Sequence, residues 1–286
     1  MTKQPQTHSA PTGIGATSLG VAMLRARESA RTDRLFNDPY ARAFVDHADP
    51  QGSVWSGDAS LNFFQLMGEQ VAVRTRYLDQ ALLDAARAGS SQVVLLACGM
   101  DSRAFRLTWP AGATIYEADR PEVLGFKSAV LQELHAQPRC HRVEVPVDLR
   151  TDWPARLVEA GFDPERRTAW LAEGILYALE AEAADVFLDR ITSCSAAGST
   201  LALDHNEDSQ LLRAALAAIS PDLVSMWKGG PSNDLGAWLR QRGWNAEIRD
   251  IAQVAREYGR PVPPAFDPHN DGAGRAWLAT AYKTTP

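Results

Sequence analysis

The sequence has few cysteines, no excess of positive charge and no long apolar run, and each shortage removes a class of protein. Its three cysteines, Cys98, Cys140 and Cys194, are far apart and odd in number. That count argues against a disulfide framework, and no metal-ligand spacing is present, so no metal is expected. A reducing compartment, and with it a cytoplasmic location, is the expectation. Lysine and arginine total 29 against 35 aspartate and glutamate, a formal net charge of −6. A protein that lives on nucleic acid would carry a basic face, so no such partner is expected. No stretch reaches membrane-spanning length and residues 1–13 are polar, which leaves no expected membrane partner. Internal repeats and low-complexity tracts are missing as well.

What remains is an ordinary globular composition, 45% apolar and 22% charged over 286 residues, enough for one large α/β domain with additions. The chain is organised around Val93-Val94-Leu95-Leu96-Ala97-Cys98-Gly99-Met100-Asp101-Ser102-Arg103. Residues 93–96 form a short β-branched-rich run, the pattern of a parallel strand buried on both faces. It ends in small residues, then in Asp101 and Ser102, either able to cap a helix. A turn of this kind lets a ligand press on backbone at the carboxyl edge of the sheet. The next strand, 114–118, reaches Asp119, and an acid about twenty residues past the first turn is the spacing used to hold ribose hydroxyls.

The glycine fingerprint of a dinucleotide site is incomplete. Ala97 takes the first glycine position, Gly99 survives, and Ser102 falls at the third. Asp101 in the same turn would repel a phosphate. Adenosine without phosphate fits better, and S-adenosylmethionine is the common ligand of that description. A dinucleotide, or an ordinary strand and turn with no ligand, are the readings left beside it.

Along the chain, residues 1–16 read as a disordered tail and 17–90 as a mostly helical cover. Helices are expected from 17, from Asp38-Pro39, and over 61–88, with a loop at 46–60. Residues 91–286 then alternate strand and helix, with strands at 93–96, 114–118, 141–147, 168–171 and 200–203. That alternation predicts a parallel, doubly wound sheet. Two more strands, near 246–251 and 275–283, would most simply pair antiparallel. Each of the first five strand ends carries something polar: Asp101, Asp119, Asp148, Glu173, and Asp204 with His205. Trp55, Phe63, Phe64 and Trp227 are candidates for an aromatic acceptor pocket, although core packing is the better explanation of each alone.

Residues 93–107, Tyr116-Glu117-Ala118-Asp119-Arg120-Pro121, Asp148-Leu149 and Ala172-Glu173-Gly174 together resemble the leucine carboxyl methyltransferase family. The closer likeness is to its bacterial branch of S-adenosylmethionine-dependent O-methyltransferases. Arg27-Glu28, Asp33-Arg34-Leu35-Phe36 and Asp38-Pro39-Tyr40-Ala41 match that branch too. The resemblance implies a class I, Rossmann-like sheet of seven strands whose last strand is antiparallel. It also implies that Arg74, or Arg76 two residues on, holds the cofactor carboxylate, with the turn at Ala97 and Gly99 against its amino-acid portion. Asp119 would then take the ribose hydroxyls, Asp148 and Leu149 the adenine, and Glu173 the methionine amino group. Relatives usually carry glycine where this chain has Ala97, whose methyl would narrow the approach to backbone.

The expected reaction is methyl transfer to a carboxylate or hydroxyl of a small acceptor, a natural product among the candidates. A carboxylate needs no base, and Arg25, Arg27 or Arg31 would orient it. A hydroxyl wants one, and His205 is the candidate, with Tyr177 the second catalytic candidate. The alternatives are methylation of a protein C-terminal carboxylate, a nicotinamide-dependent oxidoreductase, and a scaffold that binds cofactor without transfer. Nothing in the sequence fixes an oligomeric state.

Overall fold

The structure, a computed structural model, describes residues 10–11, 14–51, 58–219, 224–231 and 234–284. Most of the expected N-terminal tail and Trp55 lie outside the described residues. The first helix, α1, runs Ile14–Ser29 and so begins three residues before the expected start at 17. Helix α2 spans Ala41–Ala48, and Asp38 Oδ1 accepts the Ala41 N–H at 3.1 Å, satisfying an end donor. Helix α3, Asp58–Arg87, is the longest, about 45 Å at 1.5 Å per residue.

Seven strands follow: β1 Gln92–Leu96, β2 Thr114–Asp119, β3 His141–Pro146, β4 Thr168–Ala172, β5 Thr200–Asn206, β6 Trp244–Asp250 and β7 Ala276–Lys283. They form one sheet in the order β3-β2-β1-β4-β5-β7-β6. β1 to β5 pair parallel, while β7 lies antiparallel between β5 and β6. This is the α/β, Rossmann-like sheet with an antiparallel last strand that the resemblance implies. Between the strands run α4 Arg103–Arg106, α5 Pro121–Glu133, α6 Trp153–Glu159, α7 Ala181–Ser193, α8 Gln210–Ile219, α9 Leu235–Arg240 and α10 Ile251–Glu257.

β1 is buried throughout, and its side chains alternate between two cores. Val93 and Leu95 join Leu19 of α1, Phe44 of α2, Leu78 and Leu82 of α3, and Leu131 of α5. Val94 and Leu96 face Trp153 and Leu157 of α6, Phe187 and Leu188 of α7, and Leu239 of α9. A third cluster joins Met67 and Val71 of α3 to Leu212 of α8, Ile251 and Val254 of α10, and Leu278 of β7. Helix α3 thus spans two clusters across the carboxyl ends of the central strands.

One element departs from the sequence reading. α10 occupies residues expected to be strand end and loop, directly after β6. The local signal was present: Asp250 Oδ1 accepts the Ala252 N–H at 2.8 Å as the N-cap, and Ile251, Val254 and Ala255 repeat at helical spacing.

Candidate cofactor and acceptor site

The site begins where β1 stops. Ala97 and Gly99 both take left-handed backbone, at φ 50° and 49°. Glycine adopts that region freely, whereas an alanine there bears a steric cost. A Cβ at Gly99 would stand 2.6 Å from Ser18 Cβ, so the turn and helix α1 approach closely only because position 99 has no side chain. Ala97 itself is exposed. Asp101 then closes the turn, its N–H donating to Cys98 O at 2.8 Å and its Oδ1 accepting from Arg103 N at 2.7 Å. Its carboxylate also pairs with the Arg103 guanidinium. Asp101 is therefore turned into the protein's own charge network, which is a different role from repelling a phosphate.

At the end of β2, Asp119 faces the same turn. Oδ2 accepts the Gly99 N–H at 2.7 Å and Oδ1 accepts the Arg120 N–H at 2.7 Å. No ion pair to Asp119 forms among the described residues. Burial lifts its carboxyl above the usual range, and the two backbone donors only partly oppose that. An ionised carboxylate has about four lone-pair sites, so two acceptor positions remain. At the end of β3, Asp148 is held differently: the Arg150 side chain, helped by the Arg150 N–H, lowers its carboxyl to about 2. Leu149, beside it, packs against the second core.

Past β4 the rim changes character. Glu173 receives three guanidiniums: Arg25 Nη2 from α1 at 2.8 Å, Arg74 Nε from α3 at 3.0 Å, and Arg103 Nη1 from α4 at 2.7 Å. Burial pushes its carboxyl up, but Arg103, Arg25 and Arg74 outweigh that and hold it well below the usual range. Arg74 Nη1 reaches Asp204 Oδ2 of β5 at 3.0 Å, and Asp204 Oδ1 accepts the Gly174 N–H at 2.6 Å. For Asp204, burial outweighs Arg74 and its carboxyl is raised. Asp79 of α3 completes the network by accepting Arg103 Nε at 2.7 Å and Arg106 Nη1 at 2.5 Å. With Asp38 3.9 Å from Arg106, four guanidiniums face five carboxylates: Asp38, Asp79, Asp101, Glu173 and Asp204.

The structure thus brings together Arg74, Gly99, Asp119 and Glu173, with Ala97 at the rim and Asp148 and Leu149 at the next strand end. It does not bring Arg76, which is exposed on α3 while Arg74 two residues earlier is buried. Two positions on a helix are about 200° apart, so only one can face the sheet. His205 is also turned away. It alternates with Asp204 and Asn206 on β5, is fully buried, and lies under Gly230, whose Cβ would meet His205 Cε1 at 3.0 Å and Leu176 O at 2.6 Å. Burial drops its imidazole to about 4, so it is neutral, and neither ring nitrogen has a partner among the described residues. A proton acceptor must reach the reacting oxygen, and no surface of this ring is open.

Tyr177 lies in the short turn Leu176–Ala178 after β4, its ring stacked on Trp227 at 4.0 Å and 14°. Burial raises its phenol, so at neutral pH it stays protonated and does not act as a base. Phe63 and Phe64 pack edge to face at 6.3 Å, and Arg27 covers the Phe64 ring at 4.2 Å. Arg31 pairs with exposed Asp33, whereas Arg25 reaches Glu173. Sequence reasoning placed Arg25 on an acceptor and gave no role to Arg103 or Asp79. Their partners lie 148, 70 and 24 residues away along the chain, and no local pattern marks such pairs.

These residues fit S-adenosylmethionine. Asp119 keeps two free acceptor positions for a diol, and Arg103 Nη2 is a buried guanidinium nitrogen without a partner among the described residues, able to meet a carboxylate. Ala97, at the start of the Gly99 turn, is exposed and offers the turn's open surface.

Comparison with known proteins agrees. The family profile for leucine carboxyl methyltransferase matches residues 18–192. A Frankia alni protein named for S-adenosyl-L-methionine-dependent methyltransferase activity is 44% identical over 257 residues, covering 88% of this chain and 91% of the relative. A Mycolicibacterium smegmatis protein of the same naming is 42% identical over 270 residues, covering 88% and 90%. Among solved structures, a Thermobifida fusca protein titled as a methyltransferase superposes with a TM-score of 0.54 over 92% of this chain and 94% of its own. At 19% identity that likeness speaks for the fold alone. No helix among the described residues is long and apolar enough to cross a membrane, and no cluster of metal-ligating side chains occurs among them. On the family match and on identity extending over 88% of its length, the chain belongs to the leucine carboxyl methyltransferase family.

Proposed function

We propose that this S-adenosylmethionine-dependent methyltransferase places a methyl group on an oxygen, carboxylate or hydroxyl, of a small acceptor. The observation that carries the reading is Asp119: a half-buried carboxylate at the end of β2, tied to the Gly99 N–H at 2.7 Å and to no cation among the described residues. It keeps two acceptor positions at the ribose-binding place of an open α/β sheet.

The bound cofactor supplies a methyl on a sulfonium, which already carries its own leaving group. The chain's part is to hold, orient and exclude water. Asp119 takes the ribose hydroxyls, and Asp148 with Leu149 borders the adenine. Glu173, kept anionic by three guanidiniums, meets the amino group, while Arg74 and Arg103 hold the carboxylate against the Gly99 turn. Residues 17–90, which carry most of α1 and all of α2 and α3, act as the cover over the core at 91–286: Ser18 closes on Gly99 and Arg25 on Glu173. Because His205 is sealed and Tyr177 stays protonated, the chain is suited to an acceptor that ionises without help from either.

Calorimetric titration with S-adenosylmethionine and with NAD tests the cofactor half. The first should bind and the second should not; the reverse would overturn the reading. A tritiated-methyl screen over small acids, alcohols and phenols tests the acceptor half, and transfer only to a protein C-terminus would replace it.

A further inference from the structure

Helix α5 buries a stripe made of residues 123, 124, 126, 127, 130 and 131, and all but one of these are apolar. The exception is Lys127, whose side chain is 0% exposed. It sits in the middle of a stripe that helical spacing reserves for apolar residues. Its Nζ stands 2.9 Å from Glu117 Oε2 of β2 and donates to Cys98 Sγ, in the cofactor turn, at 3.9 Å. Glu117 has another partner already. Arg142 of β3 donates to the same oxygen from Nε at 2.9 Å and from Nη2 at 2.7 Å. Taking a charge out of water costs free energy, and an apolar side chain of the same length would serve the fold at least as well.

What Lys127 does lie beneath is the ribose site. Side chains alternate along a strand, so Glu117 and Asp119 share the face of β2 that α5 covers, one step apart. Cys98 adjoins Gly99, whose N–H Asp119 accepts at 2.7 Å. One ammonium therefore meets both elements that join at Asp119. Burial opposes its charge, yet Cys98 and Glu117 outweigh that and lift the ammonium above the ordinary lysine value. Burial also drives the Cys98 thiol well up, so it stays neutral and leaves the ammonium uncancelled. The other charges around Asp119 are committed elsewhere: Asp101 to Arg103, Asp148 to Arg150, and Arg120 to Glu122 at 3.2 Å. Glu144 takes the far end of Arg142 at the edge of the sheet. The ion pair between α2 and α5, His47 with Glu133, lies about 9 Å further along the helix. Burial raises the Asp119 carboxyl; after its two backbone donors, Lys127 and then Arg120 pull it back.

We propose that Lys127 is a positioning residue of the cofactor site: from beneath the turn it ties the Gly99 loop to β2 and holds Asp119 in the charged form that grips a ribose. This rests on the reading of Asp119 as the ribose acid and names the residue behind it. The test compares, by calorimetry on the full chain and from neutral pH downward, the Kd of S-adenosylhomocysteine with that of its 2′-deoxy analogue. Their ratio should collapse toward unity as Asp119 takes up its proton. Lys127→Met should move the midpoint of that collapse up by at least about 0.5 pH unit, as loss of a nearby opposite charge does. Lys127→Arg should bring it back. Glu117→Gln should move it down, because both cations remain and their counter-charge is gone. The amide suits that place: its carbonyl can accept where Oε2 does, and Oε1, where its NH2 would stand, has no partner among the described residues. Damage to packing alone would weaken binding in both variants without driving their midpoints apart. Unmoved midpoints, or shifts of one sign in the two, overturn the proposal. Should either variant fail to fold, the other decides by the sign of its own shift. If the 2′-hydroxyl contributes nothing to the wild-type chain at any pH, it is the reading of Asp119 that fails, and the role of Lys127 with it.

Discussion

The two halves of the ligand rim are built in opposite ways. On the β2–β3 side, Asp119 and Asp148 are fixed by partners within about a turn of chain or by the adjacent Gly99 loop, and among the described residues no cation from the helices before β1 reaches them. On the β4–β5 side, Glu173 and Asp204 are held by guanidiniums delivered from α1, α3 and α4. One half is set largely by backbone donors and is the half proposed to take the ribose and adenine. The other is complete only with α1 and α3 in place, because their guanidiniums are part of it.

The sharpest way to break this contrast is to remove one acid from each half. Glu173→Ala would leave three buried guanidiniums short of a counter-charge, and loss of one partner from a buried ion network costs about 3–5 kcal/mol. Denaturant unfolding should show that loss, with α1 exchanging amide hydrogens faster than β1. Asp119→Ala should do the reverse. Its stability should change by less than about 1 kcal/mol, because the raised carboxyl is itself a burden on the fold. Its S-adenosylmethionine affinity should fall by roughly 10- to 100-fold, the worth of charged hydrogen bonds.

Acid titration separates the halves next. The folded-state carboxyl of Asp119 is raised, so its grip on a ribose needs pH above that raised value and is lost first as pH falls. That of Glu173 is depressed, so its contribution to stability is full above the ordinary glutamate value and vanishes only as pH drops through the depressed one. Cofactor binding should therefore fail at a higher pH than cooperative unfolding. Coincident midpoints would sink the distinction. The smallest expected effect is at the turn. Ala97→Gly relieves left-handed backbone worth about 1–2 kcal/mol but loosens the unfolded chain by about 0.5–1 kcal/mol, so thermal unfolding should rise only slightly. Ala97→Val should lower it.

The same contrast explains what could be read from the sequence. The sheet was legible because each strand is a short apolar run ended by an acid, and the Asp119 half because its spacing from Gly99 is a local rule. Helix α10 was lost to a competing strand pattern at 246–251, although Asp250 marked its start. The Glu173 half was legible only as isolated residues. That Arg25, Arg74 and Arg103 converge on one carboxylate is a property of how α1 and α3 cross the sheet. Choosing Arg74 over Arg76 needed the rotation of α3, and dismissing His205 needed the face of β5 on which it falls.

The central claim is that the Asp119 carboxylate grips the sugar. The direct measurement is a binding cycle of S-adenosylhomocysteine and its 2′-deoxy analogue with the wild-type chain and Asp119→Ala. Removing the hydroxyl should cost the wild type at least about 10-fold in Kd and cost the variant almost nothing. An equal loss in both proteins would place the sugar elsewhere and contradict the account.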